Sequence, residues 1–334
     1  MKKTQPSFTN SNARTTLLIA EVDTLSMSWL LTCDINQNSP RTMGSRREVM
    51  NKFLWFLRIR GIETVGVHEI RQFLHYLGHG HMEPGGRWGN PRQINPVSSG
   101  TIKTYHSILR TFFSWCQAEG EIDSSPMLRI PPPTDRPDQV QPLNAQQLNA
   151  ILGAAKRSLH PRRDEALVLF LLDTGVRATE LCDLRRRDVD LQAGSATVMG
   201  KGHKTRTVPF SRDTKRALFQ YLNSRPNDAE AALFQSDRGV TAGDGLTRHG
   251  LRFLVRRLAE AAHVKGVRVS PHTFRHTFAI SFLRGGGNVF TLQQILGHTN
   301  LAMTNRYVAI AQADVANQHQ RCSPVSHLKR GTLA

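Results

Sequence analysis

The stretch Ser270–Val308 reads SPHTFRHTFAISFLRGGGNVFTLQQILGHTNLAMTNRYV, and its pattern sets the character of the half of the chain that contains it. Ser270 followed by Pro271 is a helix start: a side chain able to cap, then a residue whose fixed φ suits the first helical position. An apolar-periodic run follows. His272, Arg275 and His276 stand at i, i+3 and i+4 in the first turns, so His272 faces the same side as the other two. A guanidinium and an imidazole at a helix N-terminus attract anions, because unpaired N–H groups and the dipole both favour negative charge. His298 follows Leu296-Gly297, and Tyr307 comes nine residues later. Cationic donors grouped near a single tyrosine fit a tyrosine that works on a phosphate.

The chain around this stretch has 334 residues, with 44 Lys and Arg against 26 Asp and Glu, a formal net charge of +18. That length makes two domains the default. The charge imbalance points to a polyanion, most simply nucleic acid. A membrane surface is the rival, but no basic amphipathic anchor and no run of about 18 apolar residues is visible. Cys33, Cys116, Cys182 and Cys322 show no CxxC spacing, hence neither a zinc pattern nor a disulfide framework, which fits a reducing compartment. The only apolar run near the N-terminus, Leu17 to Ala20, is too short for a secretory signal of roughly 7–15 apolar residues. A cytoplasmic, nucleoid-associated protein is expected.

Taken in order, residues 1–15 are polar and read as a flexible N-terminal arm. Helices are expected from Thr16 toward Leu31, over Arg41–Arg60, over Val67–Leu77, and from a cap at Ser98 or Ser99 through Ala118. Gly61 and Gly120 stop two of them. Together they form a small all-α domain over 16–129. Its faces carry Arg41, Arg46, Arg47, Lys52, Arg58, Arg60, Lys103 and Arg110, singly ordinary surface charges and together a phosphate-tracking surface. The Gly- and Pro-rich loop His79–Pro96 carries Arg87 and Trp88, which either touch DNA or pin the loop to the helices. Pro131, Pro132, Pro133 and Pro137 give 130–142 the composition of a stiff linker.

Beyond the linker, helices are expected from a cap at Asn144 to Ser158 and over Arg163–Asp173, whose apolar centre Ala166–Leu172 must be buried. Thr174-Gly175-Val176-Arg177 breaks the latter, and a helix resumes over Ala178–Leu184. Arg177 thus lies at a turn before a helix N-terminus, with Glu180 placed to hold its guanidinium from behind. Three β-patterned pieces follow, Asp188–Leu191, Ser195–Met199 and Thr205–Phe210, the last two joined by Gly200-Lys201-Gly202-His203-Lys204 as a hairpin. Lys201 stands between two glycines at its tip, where backbone can approach a phosphate closely. Basic helices are expected over Thr214–Leu222 and Thr247–Val264, the latter bearing Arg248, Arg252, Arg256 and Arg257.

TGVRATEL around Arg177, VMGKGHKTRTVPF around Lys201, HTFRH from His272, LGH ending at His298 and TNRYV around Tyr307 together resemble the tyrosine recombinase (phage integrase) family. Their order and spacing match across residues 165–310, and the tail HQRCSPVSHL is similar to the ends of integrases and transposases of mobile elements. The fold implied is mainly α with a small antiparallel β-sheet: an N-terminal helical-bundle (SAM-like) core-binding domain and a C-terminal α+β catalytic domain over 143–320, with 321–334 as a tail. The resemblance implies that Tyr307 attacks a DNA phosphodiester to form a 3′-phosphotyrosyl enzyme. Arg177 and Arg275 would bind the non-bridging oxygens, Lys201 protonate the departing 5′-oxygen, and His272 and His298 donate hydrogen bonds or move protons, with Glu180 supporting Arg177. No ATP and no metal are required, since the phosphotyrosine conserves the bond energy. Double-stranded DNA is the expected partner, bound through Arg41, Arg46, Arg47, Lys103, Arg110, Lys204, Arg206 and Arg248, by a homo-tetramer on paired sites. Gln312–His319 is a plausible helix for docking into a neighbour.

The chemistry of the residues agrees. A phosphodiester transition state gathers charge on its equatorial oxygens, so preorganised donors are the main requirement, and the planar, always charged guanidinium suits them. A tyrosine with a free pKa near 10 needs cations to stabilise its phenolate. His276 has no task in this scheme and reads as structural. Three rivals stand beside it. One is a metal hydrolase on the His272/His276 pair, where Thr273 replaces the usual Glu and Arg275 would oppose the metal. The others are a non-catalytic DNA-binding relative and a type IB topoisomerase.

Overall fold

The computed structural model describes residues 14–81, 85–134, 141–200, 204–236, 243–298, 300–311, 319 and 325, with the side chains of 302, 306 and 309–311 excepted. Lys201, residues 1–13 of the expected arm, residues 312–318 of the expected docking helix and most of the tail lie outside the described residues. The chain divides into two compact units, Met1–Asp138 and Gln139–Ala334.

The first unit is built on four helices, α1 (Ile19–Ile35), α2 (Pro40–Ile59), α3 (Val67–Gly78) and α4 (Ser99–Ala118). Ser39 and Ser98 start α2 and α4 by accepting from the amides of Thr42 and Thr101, satisfying donors that the helix itself leaves unpaired. Phe53, Phe56, Phe73, Phe112, Phe113 and Trp29 fill the centre and are fully buried. Leu17 and Leu18 do not begin the first helix as the pattern suggests. They form a short strand β1 (Leu17–Leu18) antiparallel to β2 (Thr64–Val65). Burial of Leu17 in the helical core and the Leu18 amide bonded to the Glu21 carboxylate set the helix start at Ile19.

The loop after α3 is held down by its own Arg-Trp pair. The Trp88 ring lies 5.5 Å from Trp55 and 5.4 Å from Tyr76, near-perpendicular to both. Arg87 is buried and donates from Nη1 to the Asn95 carbonyl at 2.7 Å. Of the two readings of this pair, the pin is the one observed.

The second unit wraps around α6 (Pro161–Thr174), whose Ala166, Leu167, Val168, Phe170 and Leu171 are fully buried. Against it pack α5 (Ala145–Lys156), α8 (Arg212–Leu222) and α10 (Pro271–Arg284), while α7 (Ala178–Asp183) and α9 (Arg248–Ala261) meet each other alongside. Strands β3 (Val189–Asp190), β4 (Ser195–Met199) and β5 (Thr205–Pro209) make an antiparallel sheet in chain order, with Val198 opposite Arg206. α11 (Val289–Leu296) and α12 (Leu301–Ala311) close on α10 around a second apolar cluster of Ala279, Ile280, Leu283, Leu292 and Leu296. The mainly helical fold with small antiparallel sheets is the one the sequence pattern predicts. Among the described residues, no helix is long and apolar enough to cross a membrane.

Candidate active site

Two glycines in left-handed conformation set the frame. Gly175 ends α6 at φ 58° and Gly297 ends α11 at φ 62°, a backbone that residues with a Cβ adopt only under strain. At Gly175 there is also no room: a Cβ would stand 2.4 Å from the Phe278 ring. Both helices therefore stop with their last carbonyls turned toward one place, and the negative end of a helix dipole favours a cation. Arg275, on the second turn of α10, fills it. Its Nη1 donates to the Gly175 carbonyl at 2.7 Å and its Nη2 to the Leu296 carbonyl at 2.8 Å. The side chain is 4% exposed, and burial followed by the nearby Arg177 brings its pKa down to about 10, so it remains charged at neutral pH.

Arg177 precedes α7 as its N-cap residue. Its amide donates to Glu180 Oε2 and its Nη1 to Oε1, each at 2.8 Å, while Nη2 reaches the Gly297 carbonyl at 3.3 Å. Glu180 is 3% exposed. Burial alone would raise its pKa; hydrogen bonds from Arg206 and the Arg177 amide outweigh it and hold the carboxyl at about 2. It is a fixed anion between two cations.

His298 is buried beside Arg275, its Nε2 2.9 Å from Nη2. Arginine can only donate, so Nε2 accepts, and Nδ1 carries the proton toward Thr304 Oγ1 at 2.9 Å. Burial, then Arg275 and Arg177, push the imidazole down to about 4, in keeping with this neutral tautomer. Tyr307 is 7% exposed and belongs to the apolar cluster of α10, α11 and α12. Its ring is stacked near-parallel to His298, centroids 6.2 Å apart, and lies 5.4 Å from the His276 ring. His272 sits one turn before His276, with ring centroids 6.2 Å apart, on the open side of the helix start. Desolvation and then Arg275, Arg252 and Arg177 lower its pKa.

Arg177, Glu180, Arg275, His298 and Tyr307 are thus brought together from four separate elements, with His272 at the edge. Three further residues join them that the sequence reading did not place at this site. Thr304 is hydrogen-bonded to His298, and His276, read as structural, packs with its ring centroid 5.4 Å from that of Tyr307. Arg206, expected to bind DNA, is turned inward. Its Nη1 and Nη2 grip Glu180 at 2.9 and 2.8 Å and its Nε donates to the Ile295 carbonyl at 2.7 Å, so all three nitrogens are engaged within the protein. Alternation on β5 held the signal for this: Arg206 is two residues from the buried Val208 and shares its face.

The other residues expected at DNA are on surfaces. Arg41 and Arg47 on α2, Lys103 and Arg110 on α4, and Lys204 and Arg248 in the second unit are exposed. Arg46 is half-buried, stacked over Trp29 at 5.1 Å with Nη1 bonded to Cys33 Sγ. With Arg41, Thr42, Ser45, Ser107 and Thr111 it lines a furrow of about 290 Å³ between α2 and α4.

Residues 141–314 match the phage integrase family. Over 259 residues the chain is 31% identical to the tyrosine recombinase XerD of Xanthomonas axonopodis pv. citri, covering 73% of this chain and 80% of that protein. The tyrosine recombinase XerA of Thermococcus kodakarensis is 28% identical over 296 residues, 86% of this chain and 99% of its own length. The Tn1549 transposon integrase, solved in complex with transposon right-end DNA, shares the fold at a TM-score of 0.68 and 19% identity, over 87% of this chain and 94% of that one. The clustered arginines, histidine and tyrosine are carried by a chain that belongs to the phage integrase family, the tyrosine recombinases, enzymes that cleave and rejoin DNA.

Proposed function

We propose that the chain acts on double-stranded DNA as a site-specific recombinase with Tyr307 as its nucleophile. The phenolic oxygen attacks the scissile phosphorus, the bond to the 5′-oxygen breaks, and a 3′-phosphotyrosyl link forms; a 5′-hydroxyl later reverses the step to rejoin strands. Arg177 and Arg275 neutralise the non-bridging oxygens, Lys201 gives its proton to the departing 5′-oxygen, His272 adds a donor at the phosphate, and His298, with Nε2 as an acceptor, takes up or returns a proton there. Glu180 fixes Arg177. Neither ATP nor a metal takes part, because the energy of the broken ester is kept in the new one.

The observation that carries this reading is the continuous contact from Tyr307 through His298 to Arg275, with Arg177 bonded to Gly297 at the α11 end that Arg275 also caps. A nucleophile and two cations held together in this way suit a developing pentacoordinate phosphate. The helical unit, residues 16–129, serves as the DNA clamp through its exposed arginines and lysines, and 143–320 as the catalytic domain. The protein works as a homo-tetramer on paired sites, in the cytoplasm at the nucleoid, to integrate, excise or transpose a mobile element.

The test is a nicked suicide DNA substrate carrying the cognate site. Wild type accumulates a covalent complex, Tyr307→Phe accumulates none, and EDTA leaves the yield unchanged. No adduct with wild type on cognate DNA refutes the enzymatic reading in favour of a DNA-binding relative. Loss of the adduct in EDTA returns a metal mechanism. Relaxation of supercoils without strand exchange marks a topoisomerase.

A further inference from the structure

We infer that Arg206 is a positioning residue for DNA cleavage: it takes up the charge of Glu180 so that Arg177 keeps its own for the phosphate. The inference rests on the phosphotyrosyl reading above. Glu180 Oε1 is shared, bonded to Nη1 of Arg177 at 2.8 Å and to Nη1 of Arg206 at 2.9 Å, while Oε2 accepts from Arg206 Nη2 and the Arg177 amide, both at 2.8 Å. The two arginines are not equivalent. The Arg177 side chain is 32% exposed and opens toward the site, whereas that of Arg206 is 13% exposed and closed in by the carboxylate, the Ile295 carbonyl and the backbone of Gly297.

A buried carboxylate facing Arg177 alone would form a closed pair with little net charge to offer an anion. Arg177 and Arg275 against one Glu180 leave a single positive charge, and Arg206 raises that surplus to two where the phosphate must bind. Arg206 also ties three elements at one point: β5, α7 and the last turn of α11 before His298. A lysine could supply the charge but not the fork, which needs two donors on the carboxylate and a third on Ile295.

This assigns a signature that a residue of merely structural importance does not give. Single-turnover formation of the covalent complex on nicked cognate DNA is measured for wild type, Arg206→Gln, Glu180→Gln and the double variant, with DNA affinity and melting recorded for each. Arg206→Gln is expected to cleave about tenfold or more slowly, the scale of one charge-assisted contact to a transition state, with little change in affinity. Glu180→Gln alone also slows cleavage, because Arg177 loses its hold. In the Arg206→Gln background, however, Glu180→Gln raises the rate, since the uncompensated anion is gone. Should Arg206→Gln not fold, the same cycle on Arg206→Met, which keeps the apolar stem without the charge, carries the test, and Glu180→Gln must raise the rate there too. Losses that accumulate in the double variant, or normal cleavage by Arg206→Gln, overturn the inference while the wild-type adduct leaves the phosphotyrosyl reading standing. Absence of the adduct in wild type removes both.

Discussion

The two units of this chain use their positive charge in opposite ways. In the helical unit the cations lie outside an aromatic core, flat on its rim: Arg46 over Trp29, Lys52 over Trp88, Arg60 over Phe56 and Tyr76. Their charged heads sit over the ring faces, where the aromatic quadrupole attracts a cation. In the second unit Arg275 and Arg206 are inside, with carbonyls and one carboxylate as partners. A charge on the rim contributes to affinity and salt dependence. A charge in the interior fixes geometry, and its removal leaves buried acceptors unpaired. The +18 balance read from composition therefore mixes two kinds of cation that no count can separate.

The largest break of this contrast is expected at Arg275. Arg275→Leu leaves the carbonyls of Gly175 and Leu296 without their donor, a cost of about 3 kcal/mol or more in stability. It should also abolish the phosphotyrosyl complex, as read by melting and by the suicide substrate together. A folded, cleaving Arg275→Leu protein would erase the distinction between interior and rim cations.

A second test is acidification. His298 is held at about 4 against an ordinary 6.5, and Glu180 at about 2 against 4.5. In both cases the unfolded chain binds the proton more readily, so stability falls as pH falls. The His298 contribution is present above pH 6.5 and declines toward pH 4; the Glu180 contribution is present above 4.5 and declines toward 2. Melting temperature followed from pH 7 downward should drop through the first window, and His298→Asn should flatten that part of the curve alone. A profile identical for the two proteins would show that His298 is not buried neutral.

The smallest effect belongs to the rim. Arg47→Ala and Arg110→Ala should each leave stability within about 0.5 kcal/mol of wild type. Each should weaken DNA binding alike across sequences and reduce the salt slope by about 1. A large loss of stability from either would place that arginine with the interior set.

How much of this could be read beforehand depended on whether the signal was local. Helix starts were legible at Ser98, Asn144 and Ser270 because each caps by an oxygen three residues before the amide it binds. The centre of α6 was legible because an unbroken apolar run has no polar side to turn outward. Arg177 and Glu180 were legible as a pair for the same reason, three residues apart at a helix start. What was not legible came from distance in the chain. Nothing near Arg206 says that Glu180 and the end of α11 will arrive at its tip, although its place beside Val208 on β5 gave the facing. Likewise Leu17 looks like the start of a helix until Val65 is there to pair with it.

One consequence of the Arg275 ties concerns timing. A guanidinium has five N–H donors, and three of those on Arg275 are already committed, to Gly175, Leu296 and His298. The fork cannot swing, and the orienting of its remaining donors was completed when the domain folded. Free arginine side chains surrender rotational freedom each time they meet a ligand. This one surrenders none, so on the proposed reading the donors it offers a phosphate come without that cost.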